Sequence, residues 1–489
     1  MRLFFLSFLL LTSFGLSVLM MMTDGMPSLN DIYWVLRVAS LEGKGKWLNG
    51  FYGPGFTYLA SAFSPKLIIF EVAYIALIFL SAIATYFLAA ELSMRVGKER
   101  VKSIYIACGA IYFLILLRNS VNYTDGLFIL LIYIGTLLLI YSVISNSKRK
   151  WELVCGGFLL GVGVLFRHHG VVFVSLLLFV FIAISLSQKN VNLLQPIPAI
   201  FFMAVGFVPP VLLSNFHLYS IGALESWQVF NVYRFFFGVD WSAVPELLAS
   251  DAYREFDLLS FTMNNPIRFF KFVLSEFFSA LKISYLFVFV PLYFYIRTKS
   301  RPQLIYLLTA VVYILIILPG VERGVLPLYI LLGVSLLTAI FSADAINFRN
   351  FGFPSVLIVI AVVGGVRSFV KFENQAFQHT SLLKSTIAPY LRSQGVKSQS
   401  EIFTDDFDIY ITDFEAESFM RCGYLGWLAL HPSFKGYNYR DTLYGRQTSY
   451  CDVKAAVVKD ERLIAELKQS DNFLSKSERF GPYYVFIRK

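Results

Sequence analysis

Two carboxylates beside long apolar runs, Asp31 and Asp125, are the residues of this sequence best suited to acid–base chemistry. Asp31 follows Asn30 in the amphipathic segment 28–55, where Asn30 can cap a helix that begins near Asp31. The positive end of such a helix keeps a carboxylate ionised, and a fixed, ionised carboxylate can act as a general base on a hydroxyl or an amine. Asp31 can equally be a simple capping residue, and Asp125 a simple first-turn acid.

A second group of residues is cationic: three arginines lie near the same predicted side of the chain, and Lys282 lies within the eighth apolar run. Arginine pairs with phosphate in a bidentate manner and lysine supplies a point charge, so this group suits a phosphate-bearing lipid. Each cation can instead snorkel to the membrane interface or pair with a neighbouring carboxylate such as Glu276, Glu322 or Asp125. The four cations are Arg118, Arg167, Lys282 and Arg323.

Further side chains are expected to contact a substrate at this side. Tyr33 and Arg37 share one helix face because they are four residues apart. The adjacent pair His168-His169 has no third ligand at helical spacing, so we expect no metal there. The expected substrate-binding residues are Tyr33, Arg37, Tyr52, His168 and Glu322.

The composition excludes a soluble enzyme, a disordered chain and a disulfide scaffold. Of the 489 residues, 57% are hydrophobic and 15% are charged, whereas a soluble domain has about 25% charged residues. The mean hydropathy of +0.64 indicates a polytopic membrane protein. Eleven apolar runs are candidate transmembrane helices: 3–22, 67–92, 104–118, 126–145, 152–166, 170–188, 196–214, 273–296, 304–319, 326–342 and 353–370.

Charges between these runs predict the orientation of the chain. Connections rich in Lys and Arg alternate with poor ones, and the rich connections face the cytoplasm under the positive-inside rule. The N-terminus is then cytoplasmic, and eleven crossings put the C-terminus outside. Topology explains much of the net charge of +10, so no nucleic acid is expected as a partner. The rich connections carry Arg95, Lys98, Arg100, Lys102, the cations of 148–150, Lys189, those of 297–301, and Arg349.

Three longer segments fall on the predicted outer side. Two are the loops 23–66 and 215–272, and the third is the tail 371–489, in which helix and strand patterns alternate. We therefore predict a transmembrane domain over 1–370, which includes both outer loops, and a small extracytoplasmic α/β domain over 371–489. Cys422 and Cys451 of the tail can form a disulfide if the compartment is oxidising.

Three stretches of sequence are specific in combination. NDIYWVLRVASLEG followed by LNGFYGPGFTYL places Asp31, Tyr33, Ala39, Tyr52 and Pro54 in an order that resembles the first outer loop of the GT-C superfamily of integral-membrane glycosyltransferases. GGFLLGVGVLFRHHGVVFV is similar to the glycine-rich fifth span of that superfamily. VERGVLPLYILLGVSLL is similar to its late element, in which an Arg precedes Leu-Pro-Leu. The chain most resembles the protein mannosyltransferase-like group and the lipid A aminoarabinose transferases.

The resemblance implies an all-α polytopic membrane protein with eleven transmembrane helices, a GT-C-like fold and the small C-terminal domain. It implies inverting transfer of a hexose or pentose from a polyprenyl phosphate to a glycan, lipid or protein, outside the bacterial inner membrane. Asp31 would be the base, Asp125 a second acid, and the four cations would bind the lipid phosphate. Many members have a second acid directly after the first Asp, where this chain has Ile32.

Two features of the superfamily stay open for this chain. Some branches use a divalent cation and others do not, so no cofactor is assigned and a divalent cation is kept as an option. A monomer is consistent with every inference above. The expected partners are the lipid-linked donor, the acceptor and the bilayer.

Two other functions compete with transfer. An O-antigen-type polysaccharide polymerase also spans the membrane many times, but it is not expected to end in a folded α/β domain or to begin with the Asp31 loop. A transporter of lipid-linked substrates predicts inverted repeats and broken helices at mid-membrane. The sequence shows no such repeat, and its acids lie near the predicted surface.

Overall fold

The computed structural model of the chain is mostly helical, as expected for apolar segments that satisfy their backbone groups without water. It describes residues 1–22, 55, 59, 67–95, 97–119, 123–145, 150–167, 170–171, 173–177, 196–220, 237, 257–299, 301–316, 326–341, 359, 363, 366–367, 370, 381–397, 401–405, 422–423, 453–473 and 477–489.

Within these residues, helices occupy nine of the eleven predicted spans. Predicted span 170–188 is helical at 170–171 and 173–177, the parts of it that the structure describes, and most of 353–370 lies outside the described part. The helices are α1 Arg2–Met22, α2 Leu67–Arg95, α3 Lys98–Asn119, α4 Tyr123–Ser145, α5 Lys150–Phe166, α6 Pro196–Ser220, the short α7 Leu258–Asn264, α8 Pro266–Thr298, α9 Arg301–Ile316 and α10 Leu326–Phe341.

Two of the described helices have the length and the hydropathy of a membrane span, over Arg2–Leu19 in α1 and Val72–Arg95 in α2. Six shorter apolar stretches lie in other helices. The apolar helices fit a membrane protein, whereas the total of eleven spans and their orientation stay predictions. The shorter stretches are Val101–Leu117, Gly126–Ser142, Pro198–Ser214, Phe287–Arg297, Arg301–Ile314 and Leu328–Leu337.

The chain divides into two compact units. The first comprises Met1–Met21, Glu71–Phe216 and Pro266–Lys371. The second comprises Met22–Phe70, His217–Asn265 and Phe372–Lys489. The domain boundaries inferred from the sequence, which assign both outer loops to the transmembrane domain, stay predictions.

Buried hydroxyl groups link α1, α2, α3 and α4 in the first unit. Tyr112 of α3 lies 2.6 Å from the Ser13 hydroxyl of α1 and donates to the Ile78 carbonyl of α2 at 3.2 Å. Thr85 of α2 lies 2.8 Å from the Tyr133 hydroxyl of α4. Because a hydroxyl shielded from water needs a partner, these bonds favour one arrangement of the four helices.

Glycines on two faces of α5 let neighbouring helices approach closely. On one face, a Cβ at Gly157 would lie 2.1 Å from the Met203 carbonyl oxygen of α6. On the other face, a Cβ at Gly135 of α4 would lie 2.9 Å from the Gly156 carbonyl oxygen. Membrane helices commonly pack through such small residues, and the glycine-rich sequence of α5 therefore places it directly against both α4 and α6.

Gly206 of α6 offers a test of this packing, since a Cβ there would lie 2.0 Å from the Val154 carbonyl oxygen of α5. We expect Gly206→Ala to lower the free energy of unfolding by about 1–3 kcal/mol, because overpacking forces the two backbones apart. Gly15→Ala is the matched control, since nothing lies within 4 Å of a Cβ at that helical position. Thermal unfolding in detergent compares the two variants, and equal midpoints would contradict the packing argument.

A five-stranded sheet lies in the second unit, with the strand order β2-β1-β3-β5-β4. β1 pairs in parallel with β2 and β3, whereas β5 is antiparallel to β3 and β4. β1, β3 and β5 and the helix α12 form where the sequence pattern predicts strands and a helix. The elements are a π-helix Leu383–Ile387, α11 Ala388–Ser393, β1 Ile402–Thr404, β2 Cys422–Gly423, β3 Ala455–Val458, α12 Glu461–Lys468, β4 Glu478–Phe480 and β5 Tyr483–Ile487.

One face of this sheet is covered by α12. Leu463 and Leu467 of α12 are buried in one apolar cluster with Phe403 of β1 and Phe486 of β5. The alternation of apolar and charged residues in α12 therefore serves to bury one helix face on the sheet. Cys422 lies in β2, and Cys451 lies outside the described residues, so the disulfide stays a prediction.

Asp405 ties the end of β1 to the turn between β3 and α12. Its two carboxylate oxygens accept the Lys459 N–H at 3.1 and 3.0 Å, and one of them also accepts the Asp460 N–H. Asp460 in turn caps α12 by accepting the N–H groups of Arg462 and Leu463. Adjacent carboxylates thus serve as backbone acceptors in this turn.

Candidate active site

Arg167 is the predicted phosphate-binding residue whose side chain lies in the described part of the chain. It follows α5 directly, its N–H donates to the Gly163 carbonyl at 3.2 Å, and its own carbonyl accepts the Gly170 N–H at 2.8 Å. The side chain is 1% exposed and ranks among the largest fully buried ones. Because a guanidinium stays protonated in proteins, Arg167 places a permanent positive charge at the end of α5.

The packing of α5 on α4 sets the level of Arg167 relative to Asp125. A Cβ at Gly163 would lie 3.5 Å from the Phe128 carbonyl oxygen, and a Cβ at Gly170 would lie 2.5 Å from the Phe128 ring. Arg167 lies between these two glycines in the chain. Asp125 is three residues before Phe128, about 4.5 Å along the helix axis. The backbones of Arg167 and Asp125 therefore lie at the same end of the α4–α5 pair.

Arg118 lies at this end because only three residues separate the end of α3 from the start of α4. It is the last residue but one of α3, which ends at Asn119. Asp125 is the third residue of α4, which begins at Tyr123. The structure describes the backbones of Arg118 and Asp125, while their side chains lie outside the described part. It thus brings together three predicted site residues, Arg118, Asp125 and Arg167, at the level of the backbone.

This end of the helix group can bind an anion. The N–H groups in the first turn of a helix such as α4 carry partial positive charge, and the Arg167 guanidinium adds a full positive charge. This end of the helix group therefore combines the buried side chain of Arg167 with the backbone of a residue that carries a carboxylate, Asp125.

Lys282 occupies the midpoint of the 33-residue helix α8, and no described contact brings it to the α4–α5 end. With sixteen residues on either side, its backbone is about 24 Å from each end of α8. Five residues later, the ring of Phe287 packs on Tyr329 of α10, with 4.8 Å between centroids. Arg323 precedes α10 by three residues. Lys282 thus lies shortly before Phe287 in the chain, and Arg323 lies shortly before Tyr329, the two residues that form the α8–α10 contact.

The remaining predicted site residues cannot be placed, because they lie outside the described residues. The interpretation of Asp31 as a base therefore rests on its sequence context. These residues are Asp31, Tyr33, Arg37, Tyr52, His168, Glu322 and Arg323.

A buried polar residue at the α4–α5 end is missing from the sequence-based prediction. Tyr74 of α2 is 0% exposed, and its ring atom Cε2 lies 2.2 Å from the position of a Cβ at Gly126. Gly126 directly follows Asp125. One tyrosine within an apolar run gives no functional signal, and the glycine beside Asp125 is the sole hint that a large side chain packs there.

Metal ligands can be sought only among the described residues. No group of three or more His, Cys, Asp or Glu that could hold a metal ion occurs there. Asp31 and Glu322 lie outside these residues, so the option of a divalent cation stays open.

Comparison with known proteins shows similarity to a solved structure at low sequence identity. No protein-family model matches the chain, and no curated protein matches it. The chain is similar to the crystal structure of ArnT from Cupriavidus metallidurans in the apo state, with a TM-score of 0.46 and 12% identity, over 94% of this chain and 93% of that chain. A likeness of this size does not assign the chain to a family.

Proposed function

We propose that the protein is a membrane glycosyltransferase of the GT-C type. It transfers a sugar from a polyprenyl-phosphate donor to a glycan, lipid or protein acceptor on the extracytoplasmic side of the bacterial inner membrane. The three GT-C-like stretches of sequence suggest this class. The observation that supports the proposal is the burial of the Arg167 side chain, whose backbone lies at the same end of the α4–α5 pair as that of Asp125.

The proposed reaction is a single inverting displacement. The acceptor oxygen attacks the anomeric carbon of the sugar, and the bond between that carbon and the phosphate oxygen breaks. The electron pair leaves with the polyprenyl phosphate, and the acceptor proton moves to the carboxylate of Asp31, which acts as the general base. Asp125 is the second acid of the site.

Negative charge grows on the leaving phosphate as the bond breaks. Arg167 and Arg118 stabilise this charge from one end of the helix group, and Lys282 and Arg323 are the other candidate phosphate ligands. Fixed cations are most effective where water is excluded, and the burial of Arg167 supports that role. Tyr33, Arg37, Tyr52, His168 and Glu322 are the candidate contacts to the sugar and the acceptor.

The test combines bound lipid with turnover. The full chain is purified in mild detergent, and mass spectrometry searches for co-purified polyprenyl phosphate, free or carrying a sugar. Reconstituted protein is then given a labelled polyprenyl-phosphate sugar, with and without EDTA. We expect label in an acceptor and release of polyprenyl phosphate. A ladder of repeat units would identify a polymerase instead, and movement of the intact lipid across vesicles would identify a transporter.

Orientation has its own test, because Asp31 acts on the outer side only if the chain is inserted as proposed. A reporter that is active solely outside the cytoplasm is fused after Lys489. We expect activity, since eleven crossings from a cytoplasmic N-terminus end outside. A reporter of the cytoplasmic type, fused at the same residue, is the matched control, and its activity would overturn the orientation and the site with it.

A further inference from the structure

Tyr74 contacts the main chain of the turn that carries Asp125. Three ring atoms, Cε2, Cζ and Cδ2, lie 2.2, 3.0 and 3.1 Å from the position of a Cβ at Gly126. The ring therefore occupies the space that any side chain other than hydrogen would need. The phenol oxygen is one bond beyond Cζ, so it also lies near the first turn of α4.

Tyr74 of α2 and the backbone of Arg167, which follows α5, lie at the same end of the helix group as the first turns of α4. Tyr74 comes from α2 at the level of Gly126, and Arg167 follows α5 at the level of Phe128. Both side chains are among the largest fully buried ones in the described part of the chain. Asp125 lies in the turn that these two residues flank.

At a buried position that needs apolar packing alone, a tyrosine is less favourable in free energy than a phenylalanine. Burial of a hydroxyl away from water lowers stability unless the hydroxyl is hydrogen-bonded. A phenylalanine would fill the same space beside Gly126 without that requirement. The hydroxyl of Tyr74 is thus better explained by a polar role at this end of the helix group.

We propose that Tyr74 is a positioning residue of the transfer site: its ring fixes the first turn of α4 against Gly126, and its hydroxyl orients Asp125. This inference rests on the proposed function. Phenols donate readily to carboxylates, and one such hydrogen bond fixes the direction of the carboxylate that accepts it. The phenol does not take up the acceptor proton, which goes to Asp31.

Tyr74→Phe tests the hydroxyl and leaves the ring contact in place. We expect kcat to fall about tenfold to hundredfold with KM almost unchanged, because a hydrogen bond to a charged group is lost from the reacting geometry. Tyr133→Phe is the matched control. Its phenol is also buried in the first unit and bonds to Thr85 at 2.8 Å, away from the α4 N-terminus. That variant is expected to lose some stability but no turnover.

Gly126→Ala tests the ring contact through a double substitution. The added methyl group collides with the Tyr74 ring, so Gly126→Ala should lower the midpoint of thermal unfolding, and this fall should be smaller when it is measured in a Tyr74→Ala background, where the ring is absent. An equal fall in the two backgrounds would show that the Tyr74 ring does not press on Gly126.

The outcomes separate this inference from the proposed function. An active wild type whose Tyr74→Phe and Tyr133→Phe variants turn over alike would overturn the role of Tyr74 and leave the transferase intact. A wild type that moves no sugar from any polyprenyl phosphate would overturn both. An active wild type with a selective loss of kcat in Tyr74→Phe supports both.

Discussion

Asp31→Asn is expected to lower sugar transfer by about 10²–10⁴-fold, the usual contribution of a positioned acid or base. The amide keeps the size of the side chain and its ability to accept a backbone hydrogen bond at the start of a helix. It cannot take up the proton that the acceptor hydroxyl loses. Initial rates with a labelled polyprenyl-phosphate sugar measure the effect, and yield and thermal midpoint show that the variant folds.

Asp24→Asn is the matched control, since Asp24 lies only seven residues earlier, near the end of the first span. It should leave turnover within a few-fold of the wild type. The two readings of Asp31 give different results here. If Asp31 only caps a helix, Asp31→Asn should change the stability of the protein little and leave its turnover intact, because asparagine caps helices as well as aspartate does. Near-normal transfer by Asp31→Asn would remove this carboxylate from the mechanism.

Helix positions were predictable because apolar runs of bilayer length have few alternatives. The run 126–145 lies within α4, and the observed start at Tyr123 extends it by the polar residues before it. The C-terminal strands were also predictable, since AAVV and YYVFI are β-branched or aromatic runs beside turn residues. In both cases, the pattern of one short segment carries enough information to predict its local structure.

Contacts between helices were not predictable, because they depend on register between segments far apart in the chain. The closeness of Gly157 to Met203, and of Gly126 to Tyr74, follows from how helices cross. The sequence shows a glycine-rich α5 without saying which helix each glycine faces. For the same reason, Arg167 was predictable as a cation at the end of a span, while its complete burial beside α4 was not.

Arg118, Asp125 and Arg167 lie at the same end of the helix group because of the directions in which α3, α4 and α5 run, more than because of any sequence motif. Only three residues separate the end of α3 from the start of α4, so Arg118 and Asp125 stay at the same end of the two helices whatever the wider packing is. Arg167 joins them because α5 packs against α4 through Gly163 and returns to the same end. Lys282, at the midpoint of its helix, lacks such a constraint. Its role as a phosphate ligand stays a prediction.

Arg167→Met is expected to lower transfer by about 10²–10³-fold, which is the range for losing one donor that stabilises charge in a transition state. Methionine has a side chain of similar length that is apolar and flexible, so it can occupy the buried site without the charge. The loss should fall mainly on kcat if Arg167 stabilises the leaving phosphate, since that charge grows as the bond breaks. A rise in KM alone would instead assign Arg167 to binding the donor in its ground state.

Arg167→Lys separates charge from geometry at the same position. Lysine keeps the positive charge and loses the bidentate fork, so it should recover part of the transfer that Arg167→Met loses. Arg297→Met is the matched control: Arg297 lies in the last turn of α8, its guanidinium carbon lies 5.7 Å from the ring centroid of Tyr293, and it has no proposed part in transfer. If Arg167→Met and Arg297→Met retained equal turnover, the buried guanidinium would be structural, and the α4–α5 end would no longer support phosphate binding.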